Sequence, residues 1–142
     1  IYAASYYEIL TFAASESRLI GMLILLIAFP VISRAAAALA ISTTAPSKEK
    51  GMLYTFMSAA NMKAVGAASA ASIIISMFAV ACVSPVSAAV SAVLTVMLFM
   101  YFRRMAIKEF GGISGDLCGW LIQMTELLLT AAAALSLGTV IL

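Results

Sequence analysis

Residues 109–126 read Glu-Phe-Gly-Gly-Ile-Ser-Gly-Asp-Leu-Cys-Gly-Trp-Leu-Ile-Gln-Met-Thr-Glu, which puts four glycines and, beyond Glu109, two acids, Asp116 and Glu126, into the mouth and body of an apolar run. Gly111-Gly112-Ile113-Ser114-Gly115-Asp116 has the composition of a turn feeding a helix. Bare backbone there permits positive φ and close approach by a ligand. A helix start also offers unpaired N–H groups and the positive end of the macrodipole, both suited to phosphate oxygens. Ser114 is placed to cap that helix. Asp116 would repel a bare phosphate but favours one bridged by Mg²⁺, a hard cation that often takes one or two carboxylates plus substrate phosphates. Arg103, Arg104 and Lys108 lie just upstream and add positive charge. The competing reading for those three is membrane topology alone.

Two further charges sit where charge is costly. Arg34 falls within Phe29-Pro30-Val31-Ile32-Ser33-Arg34, well inside an apolar run. A mid-membrane arginine costs at least a few kcal/mol and normally faces a partner or a wet cavity. Pro30 leaves a carbonyl unpaired one turn earlier, and Ser33 can help satisfy the local backbone. The guanidinium fork suits phosphate oxygens; the alternative is a structural ion pair, most simply with Glu126. On a helical wheel with Asp116 at zero, Gly119 falls near about −60°, Gln123 near about −20° and Glu126 near about −80°. This predicts one narrow face looking into the protein. Asp116 and Glu126 are ~15 Å apart along the axis, too far to ligate one metal ion by themselves. For Glu126 the alternative role is an interhelical hydrogen bond or ion pair.

The elements that must position these residues are apolar. Of 142 residues, 65% are hydrophobic and 10% charged, against roughly 45–50% and 25% in soluble proteins. The apolar runs are continuous rather than alternating, and lipid requires internally satisfied backbone, so the expected fold is an all-α polytopic transmembrane bundle. Four spans are predicted, at about 19–41, 64–83, 86–102 and 117–142, each near the ~20 residues that cross a ~30 Å hydrocarbon core. Residues 1–14, with Tyr2, Tyr6 and Tyr7, read as the end of a preceding helix. With no Met at position 1, the chain is expected to be a single transmembrane domain that lacks its N-terminal part. Ser84-Pro85 predicts a tight helical hairpin. Residues 53–62 predict a short interfacial helix with Tyr54 and Phe56 at headgroup depth. Gly66 and Ala70 give the small-residue spacing that lets helices approach closely.

If the spans alternate, Lys48, Lys50 and Lys63 fall on the same side as Arg103, Arg104 and Lys108, and the positive-inside rule makes that side cytoplasmic. Tyr101, Phe102 and Trp120 then form an aromatic belt at that interface. Cys82 and Cys118 end on opposite sides, far beyond the ~7 Å Cα limit of a bridge, so two free thiols are expected. The net charge of +2 gives no indication of nucleic-acid binding. Two Cys and no His exclude the usual zinc spacings.

Gly-Gly-Ile-Ser-Gly-Asp-Leu-Cys-Gly (residues 111–119), followed by Glu126, resembles the C-terminal signature of the cobalamin (5′-phosphate) synthases, or adenosylcobinamide-GDP ribazoletransferases. That family carries Gly-Gly-x-Thr-Gly-Asp-x-x-Gly-Ala and then a Glu. Pro30-Val31-Ile32-Ser33-Arg34 is similar to its Pro-x-x-Ser-Arg element. Ser114 stands for the family's Thr and keeps the hydroxyl, and Trp120 stands for its Ala at the site mouth. The family's N-terminal His-x-x-Asp-Gly-x-x-Asp element, the expected main Mg²⁺ site, has no counterpart here. The resemblance implies Mg²⁺-dependent transfer, of the phosphotransferase class, of α-ribazole or its 5′-phosphate onto adenosylcobinamide-GDP, with release of GMP, in a bacterial inner membrane. It implies Asp116 as catalytic and metal-holding residue, and Arg34, Arg103, Arg104, Gly112, Ser114, Gly115 and Glu126 as substrate-binding residues. The partners are those two substrates and the lipid bilayer, and a homo-oligomer is allowed. The alternatives are a transporter or channel fragment using Arg34 and Glu126 along a solute path, and a non-catalytic membrane scaffold.

Overall fold

The computed structural model describes residues 16–47 and 52–139, with side chains described for 20–47 and 52–134. The expected helix end over residues 1–14 lies outside these, as do Lys48, Glu49 and Lys50. The described chain forms α1 (Glu16–Thr43), α2 (Met52–Ala59), α3 (Met62–Val83), α4 (Pro85–Phe110) and α5 (Gly115–Thr139). All but α2 are long and apolar enough to cross a membrane. The expected all-α polytopic bundle is therefore the observed one. Among the described residues there is no strand, only a single parallel bridge between Pro46 and Ile113.

Helix boundaries follow from local chemistry. At the end of α1 the hydroxyls of Ser42 and Thr43 donate back to the Leu39 carbonyl at 2.9 and 2.8 Å, and Pro46 follows, unable to continue the ladder. The short helix expected over 53–62 runs Met52–Ala59 and buries no residue. It stops early because Asn61 caps a new helix, accepting from the Ala64 N–H at 3.3 Å. Ser84 makes the predicted hairpin from one extended residue. Its N–H closes α3 on the Val80 carbonyl at 2.9 Å, and its Oγ opens α4 by accepting from the Ser87 N–H at 3.2 Å. Pro85 follows at the first helical position, where a missing donor costs nothing.

The third span differs from the expectation of 86–102. The helix continues to Phe110, so Arg103, Arg104 and Lys108 ride on two extra turns of α4 rather than in a loop. Arg, Met, Ala, Lys and Glu are good helix formers, and nothing interrupts them before Gly111, whose φ of 67° ends the helix in the left-handed region.

The four long helices form an antiparallel ring in the order α1, α3, α4, α5, with only slight contact across the α1–α4 diagonal. Glycines allow α1 and α3 to meet closely. A Cβ on Gly66 would stand 3.0 Å from Ser42 Oγ, and one on Gly21 3.1 Å from Val83 Cγ1. Two apolar clusters fill the interior. Leu25, Phe29, Ile32, Val80 and Leu129 pack towards the Ser84 hairpin; Ala37, Ala40, Phe102, Ala106, Ile113 and Leu121 pack towards the opposite end. The seam between them is polar, with Ser33, Thr125 and Glu126 all buried. Phe102 was expected in an aromatic belt but is 1% exposed. It lies on the same face of α4 as Ala106, and its ring stacks on Trp120 at 6.3 Å. Only Tyr101 of that trio is well exposed.

Candidate functional site

The seam and the end of the bundle hold the charged residues in two places. At the seam, Arg34 on α1 reaches Glu126 on α5, with Nη1 to Oε1 at 2.7 Å. Ser33 Oγ lies 2.7 Å from the same Glu126 oxygen and 3.0 Å from the Pro30 carbonyl. Arg34 Nη1 also donates to the Pro30 carbonyl, at 3.1 Å. The interhelical ion pair that the sequence offers as the alternative role of Arg34 and Glu126 is thus present, and Ser33 belongs to it. Sequence alone supports only a backbone role for Ser33, because spacing along α1 does not show which helix its hydroxyl will meet. Glu126 is buried, whereas the Arg34 side chain keeps 64% of its surface exposed. The pair therefore sits at the rim of the bundle.

The wheel places Asp116, Gly119, Gln123 and Glu126 on one side of α5, but that side does not look inward. The residues α5 buries before Glu126, Cys118, Leu121 and Thr125, centre at about 170° on the same wheel. Over that stretch the polar side is turned away from them; Glu126, at its edge, is covered, and one turn further on Thr130, at about −40°, is fully buried as well. Asp116, Gly119 and Gln123 are exposed, and a Cβ built on Gly115 or Gly119 would meet no atom within 4 Å. A wheel fixes which residues share a side; it does not fix which side the neighbouring helices cover. Here α1 and α4 cover the other one.

At the end of the bundle the glycine-rich turn divides in two. Gly111 and Gly112 terminate α4, both with positive φ, and the Gly112 N–H donates to the Ala106 carbonyl at 3.0 Å. Ile113 then bridges to the segment after α1: its N–H donates to the Ala45 carbonyl and its carbonyl accepts from the Ser47 N–H, each at 2.9 Å. Gly112 lies beneath that segment, so tightly that a Cβ would stand 2.6 Å from the Ala45 carbonyl oxygen. Its amide is already used and its surroundings are backbone. Ser114 caps α5, its Oγ accepting from the Leu117 N–H at 3.4 Å and its carbonyl from the Cys118 N–H at 3.1 Å. The amides of Gly115 and Asp116, ahead of these, have no partner within the helix. Arg103 lies at this same end, where its Nη2 comes within 3.5 Å of the Thr43 carbonyl. Arg104 is exposed on α4.

Among the described residues, no hydrogen bond or ion pair joins Arg34 to Asp116, Arg103 or Arg104. The ten residues from Asp116 to Glu126 span ~15 Å of helix axis, so the mouth and the Arg34–Glu126 pair are two stations on one open side. Trp120, at about +40° on the wheel, is half-buried, with its ring stacked on Phe102. Cys82 is exposed at the hairpin end and Cys118 buried at the other, both as free thiols.

No group of three His, Cys, Asp or Glu converges among the described residues, so these residues do not enclose a metal. Asp116 offers one carboxylate in open surroundings, and the Ser114 hydroxyl stands two residues before it. One hard oxygen donor, completed by substrate phosphates, is a set that Mg²⁺ accepts; the residues fit as one wall of a site.

Residues 1–134 match the family described as cobalamin-5-phosphate synthase. The chain is 27% identical over 141 residues to an adenosylcobinamide-GDP ribazoletransferase of Lachnoclostridium phytofermentans, a match covering 99% of this chain and 54% of that protein. It thus spans about half the length of the curated relative it matches. No solved structure matches it. The family assignment does not favour the solute-path reading of Arg34 and Glu126. The matched region contains both the Pro30–Arg34 element and the glycine-rich turn, and the chain belongs to the cobalamin-5-phosphate synthase family.

Proposed function

We propose that this chain contributes one half of the site that transfers α-ribazole, or its 5′-phosphate, to adenosylcobinamide-GDP with release of GMP, in a bacterial inner membrane with the Arg103 end cytoplasmic. In that reaction a ribazole hydroxyl oxygen forms a bond to the phosphorus attached to cobinamide, the bond from that phosphorus to GMP breaks, and the hydroxyl proton is lost. Phosphoryl transfer of this kind depends mostly on positioning and on stabilising the charge on the phosphoryl oxygens.

The observation that carries the reading is the open side of α5, with an unobstructed carboxylate at its mouth and a guanidinium ~15 Å deeper, in a chain of this family. Gly115 and Asp116 present N–H groups at a helix start, where a phosphate oxygen is favoured. Asp116 would hold Mg²⁺ or orient the ribazole hydroxyl. Bound there, Mg²⁺ would neutralise charge on the diphosphate. Arg103 and Arg104, at the end of the bundle that carries the turn, add positive potential. Arg34 offers its fork to the substrate at the seam, held there by Glu126. Gly112 and Ser114 act from behind: Gly112 fixes the turn beneath the Ala45–Ser47 segment, and Ser114 caps the helix that carries Asp116.

The test is ribazole transfer by the full-length protein in native membranes, with Mg²⁺ and after chelation. The expected result is product and GMP in equal amounts with Mg²⁺, and loss of both on chelation. Unchanged turnover after chelation removes the metal from this reading, and no transfer in either condition removes the reaction.

A further inference from the structure

The deeper station contains a fully buried hydroxyl to which nothing above gives a functional role. Ser33 is 0% exposed, and its Oγ has two acceptors within reach but one proton. The Glu126 oxygen is the nearer, at 2.7 Å against 3.0 Å for the Pro30 carbonyl, and a bond to a carboxylate is the stronger kind. Arg34 Nη1 converges on that same oxygen, also at 2.7 Å. Glu126 Oε1 is therefore gripped by two donors from adjacent residues of one helix, one buried and one at the rim. Arg34 uses only Nη1 in this grip; its Nε and Nη2 make no hydrogen bond among the described residues. Removing the hydroxyl would take away the buried member of this grip and leave the largely exposed arginine as the donor from α1 to that oxygen.

We infer that Ser33 is a positioning residue: it locks Glu126, and through Glu126 it fixes the Arg34 guanidinium with its unused edge turned to the open side, ready to donate to oxygen acceptors on the substrate. The inference rests on the reading of Arg34 as a substrate-binding residue. It gives Ser33 a task in binding that is separate from packing, because hydrogen bonds to charged groups are stronger than neutral ones and a preset fork loses less freedom on binding than a mobile one.

The experiment is a set of four variants in the full-length protein, Ser33→Ala, Glu126→Gln, the double variant and Arg34→Ala, with ribazole transfer measured per mole of folded protein over a range of adenosylcobinamide-GDP concentrations. Ser33→Ala is expected to lower kcat/KM about tenfold, mainly through KM, the low end of what one such bond carries. On the Glu126→Gln background the same change is expected to alter kcat/KM less than about twofold, since the group it acts through has lost its charge. Wild-type kcat/KM in Ser33→Ala together with a large loss in Arg34→Ala overturns the inference and leaves the reading of Arg34 standing. Wild-type values in Arg34→Ala overturn both. A Ser33→Ala effect confined to the yield of folded protein, or equally large on both backgrounds, also overturns the inference, because Ser33 would then serve packing alone.

Discussion

Gly112 and Gly115 lie three residues apart in one turn, and their surroundings are opposite. Gly112 is buried beneath the Ala45–Ser47 backbone at a φ of 150°, with its N–H spent on the Ala106 carbonyl. Gly115 is exposed at the first turn of α5, and a side chain there would meet nothing within 4 Å. One glycine is required by the fold. The other is not, so whatever need there is for a bare backbone at Gly115 must come from a ligand. A glycine-rich motif is thus better read as two devices in series: a clamp that joins the α4–α5 turn to the end of α1, and an open helix start that the clamp aims.

The largest expected effect that sharpens this contrast is on the clamp. Gly112→Ala puts a Cβ against backbone that cannot move away as a side-chain tip would and also strains φ. Overpacking and backbone strain of this kind cost about 1–3 kcal/mol each. The expected outcome is loss of most folded protein, read as a collapsed size-exclusion peak or a lowered melting temperature in detergent. A normal melt would show that the Ala45–Ser47 segment does not hold the turn. The smaller effect is on the open start. Gly115→Ala is expected to leave stability within ~0.5 kcal/mol, as surface changes usually do. It should raise KM for adenosylcobinamide-GDP by about threefold at unchanged kcat, the signature of lost ground-state contact. An unchanged KM would break the comparison, because Gly115 would then be bare without consequence.

Much of this arrangement was legible in the residues. Continuous apolar runs gave the four long helices, Ser84-Pro85 gave the hairpin, and two charges placed inside apolar runs gave the Arg34–Glu126 pair. What was not legible depends on partners remote in sequence. Gly112 reads like Gly115 until the segment after α1 is seen to lie over it. Asp116 and Gln123 share a side with Glu126, yet the covered side of α5 is set by α1 and α4. Ser33 needs α5 beside it before its hydroxyl has a role. The end of α4 was misplaced for a different reason: Arg103, Arg104 and Lys108 mark where lipid ends, and helices continue past that boundary when nothing breaks them.

The account as a whole depends on the carboxylate at the open mouth. Asp116 is exposed and makes no hydrogen bond or ion pair among the described residues, so the structural task of its charge within them is limited to the positive end of the α5 dipole. The direct measurement is the turnover of Asp116→Asn in the full-length protein, with membrane insertion and melting temperature recorded on the same preparation. The account predicts a fall of at least about tenfold, some 1.4 kcal/mol of barrier, in a protein that inserts and melts as the wild type does. Wild-type turnover in that variant would contradict it.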